Sequence, residues 1–246
     1  MTSGYFDFKR VRRRLRSPVT TGAGAVDSVD RIMLRTQSDQ GTGYGEIAPW
    51  PGFPTESVEQ ALEFLRSAQG NLPHLIAAVD ASPAPLPCLS SALSSCRLWE
   101  KITGFGGSLP CAGLMTLSVM ETEAKAAEGF KTLKVKISPE TSEESILSVL
   151  SRFPGRLRLD ANGSLDLQTA RRWTEFARAQ AQVEFLEQPL PVGHPGYASL
   201  GPDKIALDES FLTPGGVDSS GKIVVKHLLA GGWDELLAWR APHVGP

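Results

Sequence analysis

Five short apolar runs in the second half of this chain each lead into side chains that could do chemistry. Thr132–Ile137 (TLKVKI) carries Lys134 and Lys136, two residues apart and so on one face of a strand. Arg156–Leu159 leads into Asp160-Ala161-Asn162, Val183–Leu186 into Glu187-Gln188-Pro189, Ile205–Leu207 into Asp208-Glu209-Ser210, and Ile223–Val225 into Lys226. The successive gaps from Lys136 to Asp160, Asp160 to Glu187, Glu187 to Asp208 and Asp208 to Lys226 are 24, 27, 21 and 18 residues, each long enough for one strand–helix unit. Three carboxylates brought together repel one another unless a cation joins them. A hard divalent ion such as Mg²⁺ suits that donor set. Lysines beside such an ion are expected to have lowered pKa values, which suits a general base.

The elements that must position these groups alternate. From Ser108 onward, strand-like runs are separated by helical patterns at Glu121–Glu128, Ser142–Phe153, Leu167–Ala179 and Gly232–Arg240. That rhythm predicts a parallel sheet with crossover helices, and in a barrel the C-terminal ends of the strands share one rim, where active sites sit. The first hundred residues read differently, as α+β. Tyr5–Val11 and Arg31–Thr36 alternate like half-exposed strands, and Gly41–Gly45 reads as a turn-rich stretch before a third strand at Glu46–Pro49. Thr55–Ser67 reads as a helix with Thr55 as N-cap, Ala81–Pro87 as a loop, and Leu89–Ile102 as a second helix.

Composition excludes several classes of function. Among 246 residues there are 25 basic and 27 acidic side chains, a net charge of −2, which does not suit a nucleic-acid binder. No apolar run reaches the roughly 18 residues of a membrane span. No apolar segment follows the basic Lys9–Arg14 cluster as it would in a secretory leader. Cys88, Cys96 and Cys111 form an odd set without metal-ligand spacing and are expected to be free thiols, packed as small buried hydrophobes. A cytoplasmic protein is the expectation. His74, His194, His227 and His243 form no zinc-binding pattern, and Gly104–Gly107 lacks the strand-to-helix context of a dinucleotide site.

The ordered set Lys-x-Lys, Asp-x-Asn, Glu-Gln-Pro, Asp-Glu-Ser and a final Lys resembles the muconate-lactonizing branch of the enolase superfamily. Within that branch, Gly45-Glu46-Ile47-Ala48-Pro49, then Pro51-Gly52-Phe53 and Glu56, looks most like the o-succinylbenzoate synthases. The resemblance implies an α/β chain: an α+β capping domain over residues 1–105, then an incomplete (β/α)7β TIM-like barrel over 106–246. By that strand count the last two barrel strands would be missing, so a C-terminally truncated chain is expected.

The same resemblance implies roles. Asp160, Glu187 and Asp208 would bind Mg²⁺, and Lys136 would take the proton α to the substrate carboxylate. Lys226 would stabilise charge from the opposite face, Lys134 and Asn162 would serve the substrate, and Glu209 would support the ligand set. Arg16 and Pro51–Phe53 would belong to cap loops closing over the substrate. The implied partner is a small-molecule carboxylate; no nucleic acid, membrane or particular oligomeric state is implied. Two alternatives stay open. One is an N-acylamino acid racemase or dipeptide epimerase using Lys136 and Lys226 as paired bases. The other is an inactive barrel fragment.

Overall fold

The computed structural model describes residues 3–21, 24–103, 109–115, 117–208, 210 and 222–225. The chain divides into two compact units, the first holding the residues up to Gly107 and the second Ser108–Val225.

In the first unit, β1 (Gly4–Thr21), β2 (Gly24–Ser38) and β3 (Gly41–Ile47) form an antiparallel sheet in that order. Alternation sends Phe6, Ile32, Leu34 and Ile47 inward onto three helices. These are α1 (Val58–Ser67), α2 (Leu72–Asp80) and α3 (Pro87–Thr103). The N-cap of α1 is Ser57, not Thr55. Gln60 decides this by completing a capping box: its backbone N–H donates to Ser57 Oγ at 3.1 Å, and its side chain accepts from the Ser57 N–H at 2.8 Å. Helix α2 has no counterpart in the sequence expectation. Asn71 caps it, and Pro73 sits in its first turn, where a missing N–H costs nothing. The buried Glu56 carboxylate accepts from the Cys88 N–H at 3.1 Å and the Leu89 N–H at 2.6 Å, satisfying the start of α3.

Gly41–Gly45 is strand rather than turn. Its glycines serve close approach: a Cβ on Gly43 would overlap the Cys96 carbonyl, and one on Gly45 the Ala92 carbonyl, so α3 lies with its backbone directly on β3. Gly43→Val is therefore expected to destabilise the first unit by about 3 kcal/mol, the upper part of the usual overpacking range. A fall in the urea midpoint would register it; an unchanged midpoint would mean that α3 can shift away. Cys88 and Cys96 are buried free thiols, pushed by burial up to about 12 and about 11, while Cys111 is exposed, contrary to expectation.

The second unit is a six-stranded parallel sheet in sequence order: β4 (Gly113–Met115), β5 (Thr132–Lys136), β6 (Arg156–Asp160), β7 (Val183–Glu187), β8 (Ile205–Leu207) and β9 (Lys222–Ile223). Between them lie α4 (Val119–Ala127), α5 (Glu143–Arg152), α6 (Leu167–Ala179) and the short α7 (Tyr197–Leu200). Ser118, Ser142 and Asp166 cap the first three through bonds to the N–H of Glu121, Ser145 and Thr169. Leu133, Val135, Leu157, Leu159, Val183 and Leu186 form one face of the sheet and bury against Ile146, Val149, Phe153, Ala170, Trp173 and Ala177. The alternate residues of β5 and β6, Lys134, Lys136, Arg158 and Asp160, therefore share the other face. The sequence-expected helix Gly232–Arg240 lies outside the described residues, as do Gly104–Gly107.

Candidate metal and proton-transfer site

Strand register brings the chemistry-bearing residues together. Lys136 pairs with Asp160, Asp160 with Glu187, and Glu187 with Ala206, two residues before Asp208. A bulge makes this alignment possible. β6 and β7 pair Leu157 with Val183 and then Arg158 with Phe185, leaving Glu184 as the extra residue. Without that extra residue the pairing would set Leu186, a core side chain, opposite Asp160. Arg158 anchors the bulge: its Nε donates to Glu184 Oε2 at 2.6 Å, and its guanidinium lies 5.1 Å from the centre of the Phe185 ring. The sequence signal was the broken alternation of Val-Glu-Phe-Leu-Glu, two adjacent apolar residues where period 2 allows one.

Asp160, Glu187 and Asp208 are 2%, 1% and 3% exposed, too deep for solvated loop carboxylates. The half-buried Lys134 ammonium lies 2.9 Å from Asp160 Oδ2 and 2.7 Å from Glu187 Oε1. Burial pulls the Lys134 pKa down, but the two carboxylates more than offset it and leave it raised. Asp160 Oδ1 accepts the Asn162 N–H at 3.1 Å. Asn162 itself is exposed and turns the chain with a φ of +46°, a conformation asparagine tolerates. Lys136 is exposed at the end of β5, on the Lys134 face. Lys226 and Glu209 lie outside the described residues.

Burial and the neighbouring Asp160 carboxylate push Glu187 up to about 7, with Asp208 adding and Lys134 opposing. Three carboxylates thus act on one another through a poorly solvated space. Their hard oxygen donors fit a divalent cation of the Mg²⁺ kind. Among the described residues, no three acidic, histidine or cysteine side chains already stand at metal-ligand spacing. Among the described residues, the Lys134 ammonium is the cation recorded in contact with Asp160 and Glu187.

The pH consequence has a definite sign. Between the ordinary value of 4.5 and about 7, folded Glu187 holds a proton that the unfolded chain has released. Its contribution to stability is full below 4.5 and is lost as pH rises through about 7. Thermal melts in EDTA should show the midpoint falling across that window, and Glu187→Gln should flatten the dependence. A parallel fall in that variant would place the cause elsewhere.

Pro51–Phe53, expected as a cap loop, lines a cleft of about 450 Å³ within the first unit, together with Ser28–Asp30 and Glu56. Arg16 is exposed on β1. The sequence reading missed Trp50, which with Phe53 also walls a second cleft alongside Tyr44 and Trp99. No helix among the described residues is long and apolar enough to cross a membrane.

The geometry has relatives. The pattern of the family Enolase C-terminal domain-like matches residues 119–219. The o-succinylbenzoate synthase of Thermosynechococcus vestitus is 31% identical to the chain, over 90% of this chain and 75% of the relative. A hydrophobic dipeptide epimerase of a Flavobacteria bacterium is 27% identical over 76% of this chain and 62% of the relative. Among solved structures, the o-succinylbenzoate synthase of Thermosynechococcus elongatus, complexed with Mg in the active site, superposes with a TM-score of 0.80. It is 28% identical, over 98% of this chain and 82% of that one.

Proposed function

The chain belongs to the enolase superfamily, and from that membership we propose that it is an o-succinylbenzoate synthase. The reaction is loss of water from 2-succinyl-6-hydroxy-2,4-cyclohexadiene-1-carboxylate, giving 2-succinylbenzoate, a step of menaquinone and phylloquinone synthesis. The observation that supports it best is the in-register run of Lys136, Asp160 and Glu187 across β5, β6 and β7. A base and two buried carboxylates then stand at the same level of one sheet.

Asp160, Glu187 and Asp208 would hold the Mg²⁺. When bound, that ion supplies the positive charge that offsets negative charge developing on the substrate carboxylate. Lys136 accepts the proton from the carbon α to that carboxylate. The electron pair left behind expels the ring hydroxyl from the adjacent carbon, and the hydroxyl takes the proton back from Lys136 to leave as water. Both events occur on one face of the ring, a syn elimination needing one acid–base group, and aromatisation drives it. Lys134 orients the carboxylates and the acid end of the substrate. The family resemblance would give Lys226 the role of stabilising charge from the opposite face of the ring.

The test is to supply the full chain with the cyclohexadiene carboxylate and Mg²⁺, following loss of the diene absorbance and formation of 2-succinylbenzoate by mass. Product that disappears with EDTA is the expected result. The similarity to a hydrophobic dipeptide epimerase favours a second reading, in which Lys136 and Lys226 work as two bases on opposite faces of an α-carbon. Deuterium uptake at the α-carbon of dipeptides in D2O, without diene dehydration, would select that reading. Inactivity toward both would reject the lyase and the epimerase together.

A further inference from the structure

We propose that Gln188 is the positioning residue that holds Asp208 level with Asp160 and Glu187, so that the three carboxylates converge on one cation. This rests on the cation site proposed above.

Gln188 is 1% exposed, and its side-chain amide is fully engaged. Oε1 accepts the backbone N–H of Asp208 at 3.0 Å and that of Ser210 at 3.2 Å. Nε2 donates to Ser210 Oγ at 2.6 Å and to the Leu190 carbonyl at 3.0 Å. An amide offers two donor hydrogens and two acceptor lone pairs, and all four are used here. The main chain of Gln188 extends the same hub. Its N–H donates to the Ala206 carbonyl at 2.9 Å, and its carbonyl accepts the Gly163 N–H at 2.6 Å. One residue thereby ties the end of β7, which carries Glu187, to the loop that follows Asp160 and to the turn after β8 that carries Asp208.

The backbone bears a cost consistent with this role. Gln188 has a φ of +41°, a region non-glycine residues seldom adopt, and it precedes Pro189, which narrows its choices further. Such strain persists only where the surroundings fix it. A packing residue would need neither the strained turn nor hydrogen bonds confined to the strand ends that carry the site. Gln182, in the turn before β7, supplies the comparison. Its Nε2 donates to the carbonyls of Phe153 at 3.0 Å and Gly155 at 3.2 Å, at the opposite end of the strands from the carboxylates.

The experiment sets Gln188→Met beside Gln182→Met in the full chain, with Mg²⁺ alone titrated by calorimetry and amide hydrogen exchange read over residues 205–210. Q188M is expected to weaken Mg²⁺ binding by about 10- to 100-fold, the usual effect of losing an outer partner of a metal ligand. It should also speed exchange in that segment. Q182M should do neither. Equal losses in both variants, or unchanged affinity in Q188M, would overturn the proposal. Wild-type chain that takes up no Mg²⁺ would overturn the cation site as well, whereas wild-type uptake with Q188M unaffected overturns only the role of Gln188. Should Q188M fail to fold, Ser210→Ala removes one bond of the hub and leaves Gln188 in place. It should weaken Mg²⁺ binding by a smaller factor, and unchanged binding would again overturn the proposal.

Discussion

Lys136→Ala is expected to lower kcat for the proposed dehydration by about a thousandfold, within the range general acid–base groups supply, and to leave Mg²⁺ affinity nearly unchanged. The division of labour between the two lysines of β5 is the reason. Lys134 is committed to Asp160 and Glu187 through contacts of 2.9 and 2.7 Å. Lys136 stands one level further along the same face, exposed, and enters no ion pair among the described residues. Removing it takes away a free amine but no support of the carboxylates, so the loss falls on the proton-transfer step. Lys136→Arg sharpens the test. A guanidinium keeps the positive charge and much of the reach, but it does not deprotonate near neutral pH and cannot be a base. The arginine variant should be as inactive as the alanine one. A wild-type rate in either would remove Lys136 as the base.

Glu187→Gln is expected to separate stability from binding. Burial and the Asp160 charge hold the Glu187 carboxyl up to about 7, so its ionised form is the disfavoured one in the folded chain. Replacing it with a neutral amide of the same shape removes that penalty. The metal-free variant should therefore melt no lower than wild type at pH 8. Its Mg²⁺ affinity should fall by more than about 100-fold, beyond the range for outer partners, because a ligand itself is lost. Calorimetry with Mg²⁺ and a melting curve in EDTA read the two effects separately. Equal Mg²⁺ affinity would exclude Glu187 as a ligand. A strongly lowered melt would mean that its charge supports the fold through Lys134.

The sequence made the strand ends legible because two periodicities coincide there. Period-2 alternation assigns Lys134, Lys136 and Asp160 to one face, and the strand–helix spacing returns Glu187 and Asp208 to the same end of the sheet. What it hid depends on groups far apart in the chain. The bulge at Glu184 is set by Arg158 on the neighbouring strand. The work of Gln188 is visible only once Asp208 and Ser210 stand beside it. The raised pKa of Lys134 follows from two carboxylates, Glu187 and Asp160, that lie on other strands. In the first unit, β1 runs on to Thr21 through an arginine-rich stretch with no apolar alternation to announce a strand; β2 supplies the pairing. In sequence, Gly43 and Gly45 look like turn formers, because a glycine that permits a turn and one that admits a helix backbone look alike until the helix is in place.

A crystal structure of the full chain grown with Mg²⁺ would test directly whether the three carboxylates share a cation. One cation bound in common by the side chains of Asp160, Glu187 and Asp208 is expected, with the Lys136 amine on the same side of the sheet. A cation bound elsewhere, or Asp208 turned away from the other two, would contradict it.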